Sequence, residues 1–80
     1  MTRSQIQGAV AELLSLSVGR QIALTESVTR DSEPAWDSLK HVELIFMLEE
    51  RFGVQFSEEE MASLRSSDDI VHLIEEKGAA

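Results

Sequence analysis

An all-α bundle of three longer helices and one short helix, with a long loop between the first two, is what this sequence of 80 residues predicts. Three observations predict it. Four stretches space their aliphatic side chains at the period of a helix, and none alternates with the period of two that a strand requires. Capping residues stand at the heads of these stretches, and Gly19, Gly53 and Gly78 stand just beyond three of them. The length allows one domain, residues 1–80, with a thin core: scaling of surface with mass gives roughly 13,000 Å² unfolded and roughly 4,800 Å² folded.

In the first helix, Ile6, Val10, Leu13 and Leu14 follow the i, i+4, i+7, i+8 spacing. Two overlapping capping boxes open it, Thr2 with Gln5 and Ser4 with Gln7. Between Ser17 and Trp36 the periodicity fades into Gly, Thr, Ser, Arg and Asp. Such a connection is long for a small domain, so Ile22, Leu24 and Val28 are expected to pin it across the bundle, with room for a turn of helix inside it. The second helix begins at Asp37 or Ser38 and ends at Gly53, because Pro34 biases Glu33 away from helix and Asp37 is a good N-cap. A short third helix follows the Ser57–Glu60 capping box, with Glu58, Glu59 and Glu60 at its positive end. The fourth spans about Asp68 to Lys77, with Ile70, Val71, Leu73 and Ile74 on its inner face.

Composition narrows the function. Cysteine is absent, so the chain has no disulfide framework, no Cys/His zinc cluster and no thiol of its own. Net charge is −8, divided into −1 up to Trp36 and −7 from Asp37 onward. That surface repels nucleic acid and attracts partners with basic patches, although charge alone reads first as a device that keeps a small domain soluble. The longest unbroken apolar run, Leu44 to Leu48, is far too short to span a membrane, and the N-terminus has no signal-peptide core. A cytoplasmic monomer without membrane insertion is expected. The acidic groups Glu58 to Glu60 and Asp68–Asp69 lack EF-hand spacing and read as solvated helix starts, so no metal site is expected.

The second helix has two apolar faces. At 100° per residue, Met47, Leu44, Leu48, Phe52 and Ile45 form a contiguous core arc. Leu39, Val42 and Phe46 fall on the opposite side, within about 60° of one another. Glu43 and Glu50 flank that stripe on one side and Glu49 on the other. A small bundle cannot wrap this helix completely, so the stripe is expected to be exposed as a docking surface, with the loop folding back over it as the alternative.

Ser38 stands at the head of this helix, where free backbone N–H groups and the helix dipole favour an anion. It can be a first-turn residue beside the Asp37 cap, a nucleophile with His41 three residues on, or the attachment point of a prosthetic group. The nucleophile reading lacks a GxSxG elbow and a pocket, and His41 reads as a half-buried packing residue. His72 reads as a surface residue of the fourth helix.

The run Asp37-Ser38-Leu39, with Val42-Glu43-Leu44 and Leu48-Glu49-Glu50-Arg51-Phe52-Gly53-Val54 downstream, closely resembles the acyl carrier proteins. The Ser57-Glu58-Glu59-Glu60 start and the Ile70–Ile74 helix fit the same pattern, and the likeness covers nearly the whole chain. The resemblance implies a carrier, not an enzyme. A phosphopantetheinyl transferase would move 4′-phosphopantetheine from coenzyme A onto Ser38, and the arm's thiol would hold acyl groups as thioesters. Acyl-loading and acyl-processing enzymes with basic patches would then dock on Asp37, Leu39, Val42, Glu43, Phe46, Glu49 and Glu50.

The sequence departs from the family pattern in three places. Ala35-Trp36 stands where many members have glycine and a small residue, Lys40 stands where an acid is common, and Arg51 interrupts the acidic row. These changes point to a specialised carrier in a lipid, polyketide-like or sugar-modifying pathway, and Trp36 reads as an anchor for the loop. The alternatives are an aminoacyl, peptidyl or D-alanyl carrier and an unmodified helical interaction module.

Overall fold

The computed structural model describes residues 2–23 and 26–78, and within them four helices pack around one core. They are α1 (Arg3–Val18), α2 (Ser38–Phe52), α3 (Glu58–Ser63) and α4 (Ser67–Glu76). This is the all-α bundle of three longer helices and one short helix expected from the periodicity. α1 packs against both α2 and α4. The centre is sealed by Leu14, Leu44, Leu48, Ile70 and Ile74, with Val10 beside them.

Local chemistry sets each boundary. Of the two boxes at the head of α1, the fold uses the first: the Thr2 hydroxyl accepts the Gln5 N–H and the Gln5 side chain accepts the Thr2 N–H. α1 ends where Gly19 turns left-handed at φ 78° and donates its N–H to the Ser15 carbonyl. Gly53 closes α2 in the same way, at φ 64°. α4 begins earlier than expected because Ser66, not a residue nearer Asp68, is the cap, and its hydroxyl accepts the Asp69 N–H. Lys77 caps the far end of α4, outside its last turn, and its ammonium reaches Glu60 at 2.9 Å. Leu73 is half-buried at the margin of the core.

The connection from Gly19 to Asp37 contains turns but no helical segment among its described residues, which corrects the expected turn of helix. The physical reason is competition from side chains for its backbone groups. The Thr29 and Ser32 hydroxyls each take the other residue's backbone N–H, and the Ser15 and Ser67 hydroxyls accept from Ile22 and Val28. Arg20 clamps Glu26 and Glu33, each at 2.7 Å. Thr29 forms a single antiparallel bridge with Ser66, which ties the loop to the head of α4. Ile22 and Val28 pin the loop from the core side as expected, whereas Leu24 lies outside the described residues.

Candidate functional site

Trp36 approaches α2 in a turn after Pro34, its N–H on the Glu33 carbonyl, and its indole is 2% exposed. The indole Nε1 donates to His41 Nδ1 at 3.0 Å. With Nδ1 accepting, the ring proton sits on Nε2, which donates to the Met61 carbonyl at 2.8 Å. One imidazole therefore ties the loop, α2 and α3 together. The expected half-buried packing role of His41 is corrected here: the residue is 6% exposed and both ring nitrogens are committed. Neither nitrogen is free to take a proton from Ser38, so the Ser–His pairing has no base. Trp36 is the loop anchor that the sequence suggested.

Asp37 caps α2, with Oδ1 accepting the Lys40 N–H at 2.9 Å. Ser38 is the first helical residue and is exposed. Among the described residues its hydroxyl has no hydrogen-bond partner, and the N–H groups of Ser38 and Leu39 point past the end of the ladder. A shallow groove of about 260 Å³ opens beside it. Ser38 and Val42 line it from α2, Glu58, Met61 and Ala62 from α3, and Arg30 from the loop. Sequence reasoning missed Arg30, Met61 and Ala62. Nothing local marks them, because the groove exists only once α3 is set against α2 through the His41–Met61 bond.

The second face of α2 is open. Leu39 is 66%, Val42 40% and Phe46 65% exposed, so the loop does not fold over the stripe. Met47 and Phe52, assigned to the opposite arc, are half-buried against the core. The acids around the stripe differ in their commitments. Glu50 is exposed, and Glu43 lies 3.7 Å from Lys40. Glu49 is half-buried, with Oε2 accepting the Phe56 N–H at 2.9 Å, so it holds the turn after Gly53 as well as facing the rim. Arg51 is turned toward α1, where it meets Glu12 at 3.4 Å.

The shifted ionisations lie away from Ser38. Glu60 is held below the ordinary carboxylate range by the Ser57 N–H, then by the Lys77 ammonium. Glu26 is lowered by Arg20, then by the Ala23 N–H. Glu58 and Glu59 occupy the exposed first turn of α3, while Asp69 accepts the Arg65 N–H and Asp68 accepts from Ser27. Among the described residues no helix is long and apolar enough to cross a membrane.

Against known proteins, the chain is similar over its whole length to an acyl carrier protein of Thermosynechococcus vestitus, 37% identical over 82 residues and covering 100% of both chains. It is 32% identical to an acyl carrier protein of Chloroherpeton thalassium, over 96% of this chain and 98% of that one. An acyl carrier protein of Helicobacter pylori strain G27 is 35% identical, over 94% of this chain and 92% of its own. No family model matches the chain. No solved structure matches it.

Proposed function

This chain belongs to the acyl carrier protein family, and from that premise we propose that Ser38 carries a 4′-phosphopantetheine arm placed there from coenzyme A by a separate transferase. The chain is a carrier and not an enzyme. The observation that carries the proposal is the exposed, unbonded Ser38 hydroxyl at the open start of α2, beside both the groove and the exposed apolar stripe. The residues fit such a group. Among the described residues Ser38 has no competing internal bond, and the orphan N–H groups at the helix start suit the phosphodiester. The arm would supply the thiol that this cysteine-free chain lacks, holding acyl groups as thioesters. His41 and Trp36 keep the start of α2 fixed against α3, so that Ser38 is presented from a rigid element.

Partner enzymes with basic patches would pack apolar side chains on Leu39, Val42 and Phe46 and meet the carboxylates of Asp37, Glu43, Glu49 and Glu50. Lys40 beside Glu43 leaves this rim less negative than its acid count suggests, and the Glu49 carboxylate is partly committed to the Phe56 N–H. That mixed rim supports a carrier serving dedicated enzymes in a lipid, polyketide-like or sugar-modifying pathway. The carrier is read as one domain over residues 1–80, acting as a cytoplasmic monomer.

The test is direct. Purified protein is incubated with coenzyme A and a broad-specificity phosphopantetheinyl transferase, and intact masses of wild type and Ser38→Ala are compared. The wild type gains one phosphopantetheine and the variant gains none. Absence of a gain in the wild type removes the proposal. It would leave an unmodified helical interaction module, for which Ser38→Ala would be harmless.

A further inference from the structure

We infer that Arg30 is the counter-cation for the phosphodiester on Ser38, an inference that rests on the reading of Ser38 as the attachment point. The chain has seven lysines and arginines against fifteen acids. Among the described residues, five of those seven cations sit in ion pairs: Arg3 with Glu75, Arg20 with Glu26 and Glu33, Lys40 with Glu43, Arg51 with Glu12, and Lys77 with Glu60. Arg30 and Arg65 are the exceptions. Arg65 is exposed and lies outside the groove. Arg30 is half-buried and lines the groove with Ser38.

The hold on Arg30 is incomplete in an informative way. Its backbone N–H is fixed on the Arg65 carbonyl at 2.9 Å, and its Nε donates to the Trp36 carbonyl at 3.5 Å. Both Nη groups have no partner among the described residues. Asp31, its neighbour in the chain, and Glu58, which lines the same groove, both stay beyond ion-pair distance. A half-buried guanidinium left unpaired in a chain of net charge −8 is an unused anion site. Its planar fork matches the paired oxygens of a phosphate. The open N–H groups of Ser38 and Leu39 add donors at the same end of α2. A carboxylate on the cargo shares this anionic chemistry. The phosphodiester is favoured because it would be bonded to a groove-lining residue and present whatever the cargo.

The test uses wild type, Arg30→Gln and Arg30→Lys, each prepared unmodified and modified, with modification verified by intact mass. Two quantities are read: the phosphorus-31 resonance of the modified form, and the rise in Tm on modification. Taking the rise within each variant cancels the loss of the Nε bond to Trp36, which affects both forms equally. The wild-type rise should exceed that of Arg30→Gln by about 2–4 °C, as expected of one partly exposed ion pair in a domain of this size. Arg30→Lys, which keeps the charge but not the fork, should keep part of the rise, about 1 M salt should abolish the difference, and the phosphorus resonance should move between wild type and Arg30→Gln at low salt. Equal rises with an unmoved resonance would overturn the pairing while leaving Ser38 as the attachment site. A difference confined to forms loaded with a carboxylate-ended acyl group, absent from acetyl-loaded forms, would assign Arg30 to cargo and overturn the pairing as stated. Failure of the wild type to gain mass would remove both readings. If Arg30→Gln does not fold, the salt dependence of the wild-type rise and the Arg30→Lys values decide.

Discussion

Replacing Trp36 with phenylalanine tests the device that fixes the start of α2. The substitution keeps an aromatic ring in the 2%-exposed site but deletes the Nε1 donor that serves His41. A buried acceptor left without its donor costs about 1–3 kcal/mol. The smaller ring leaves a void of about 40 Å³, which adds about 1 kcal/mol. Together they remove about 2–4 kcal/mol from a domain whose length implies a total stability of about 4–12 kcal/mol. The corresponding fall in Tm is on the order of 10–25 °C, measured by circular dichroism because the variant loses the one tryptophan. A double-mutant cycle with His41→Leu separates bond from bulk, and the two substitutions together should cost at least about 1 kcal/mol less than the sum of the singles. A loss under about 0.5 kcal/mol for Trp36→Phe, or strict additivity in the cycle, would refute the claim that the indole–imidazole bond holds this end of the helix.

Three other perturbations separate docking, capping and charge. Leu39→Ala and Phe46→Ala should change urea stability by no more than about 0.5 kcal/mol, yet weaken use by the transferase or an acyl-loading enzyme by about tenfold or more in kcat/KM. Leu44→Ala, on the buried face of the same helix, should cost about 2–5 kcal/mol. Asp37→Asn keeps an acceptor for the Lys40 N–H and should hold stability to within about 0.5 kcal/mol, while Asp37→Ala should lose about 1 kcal/mol. If the Asp37 charge also guides partners, both variants should be modified more slowly at low salt, with the gap closing as salt rises. Glu60 is held below its ordinary value of 4.5, so the stability it contributes is complete above that value and is lost as pH falls through its lower folded value. Tm followed from neutral pH into acid should therefore decline, and Glu60→Gln should flatten part of that decline while still accepting the Ser57 N–H.

What the sequence made legible was whatever depends on neighbours along the chain. Thr2 with Gln5, Asp37 before Ser38, Ser57 with Glu60 and the glycines at 19 and 53 are local devices, and each marks its boundary in the structure. The two faces of α2 were legible for the same reason, since helical period alone assigns Leu44 and Phe46 to opposite sides. The unreadable parts are contacts across the fold. Nothing local says that His41 would spend both ring nitrogens on Trp36 and Met61, or that Glu49 would reach over the Gly53 turn to Phe56. The loop was misread where hydroxyl side chains took backbone groups that a helical turn would have used. Arg30 gave no sign of itself, because its surroundings are built from Trp36 and α3.

The arrangement also explains how so small a domain can combine a rigid helix start with an exposed apolar face. The core side of α2 is held by aliphatic packing and, at its start, by the buried imidazole. Stability therefore makes no demand on Leu39, Val42 or Phe46, which stay exposed. Trp36, directly before the Asp37 cap, supplies anchorage from the buried side, so the far face does not have to. The stretch of loop that carries Trp36 is thus what fixes the helix start without using the open face. Shortening it across Trp36 should force a choice between a stable bundle and an exposed stripe.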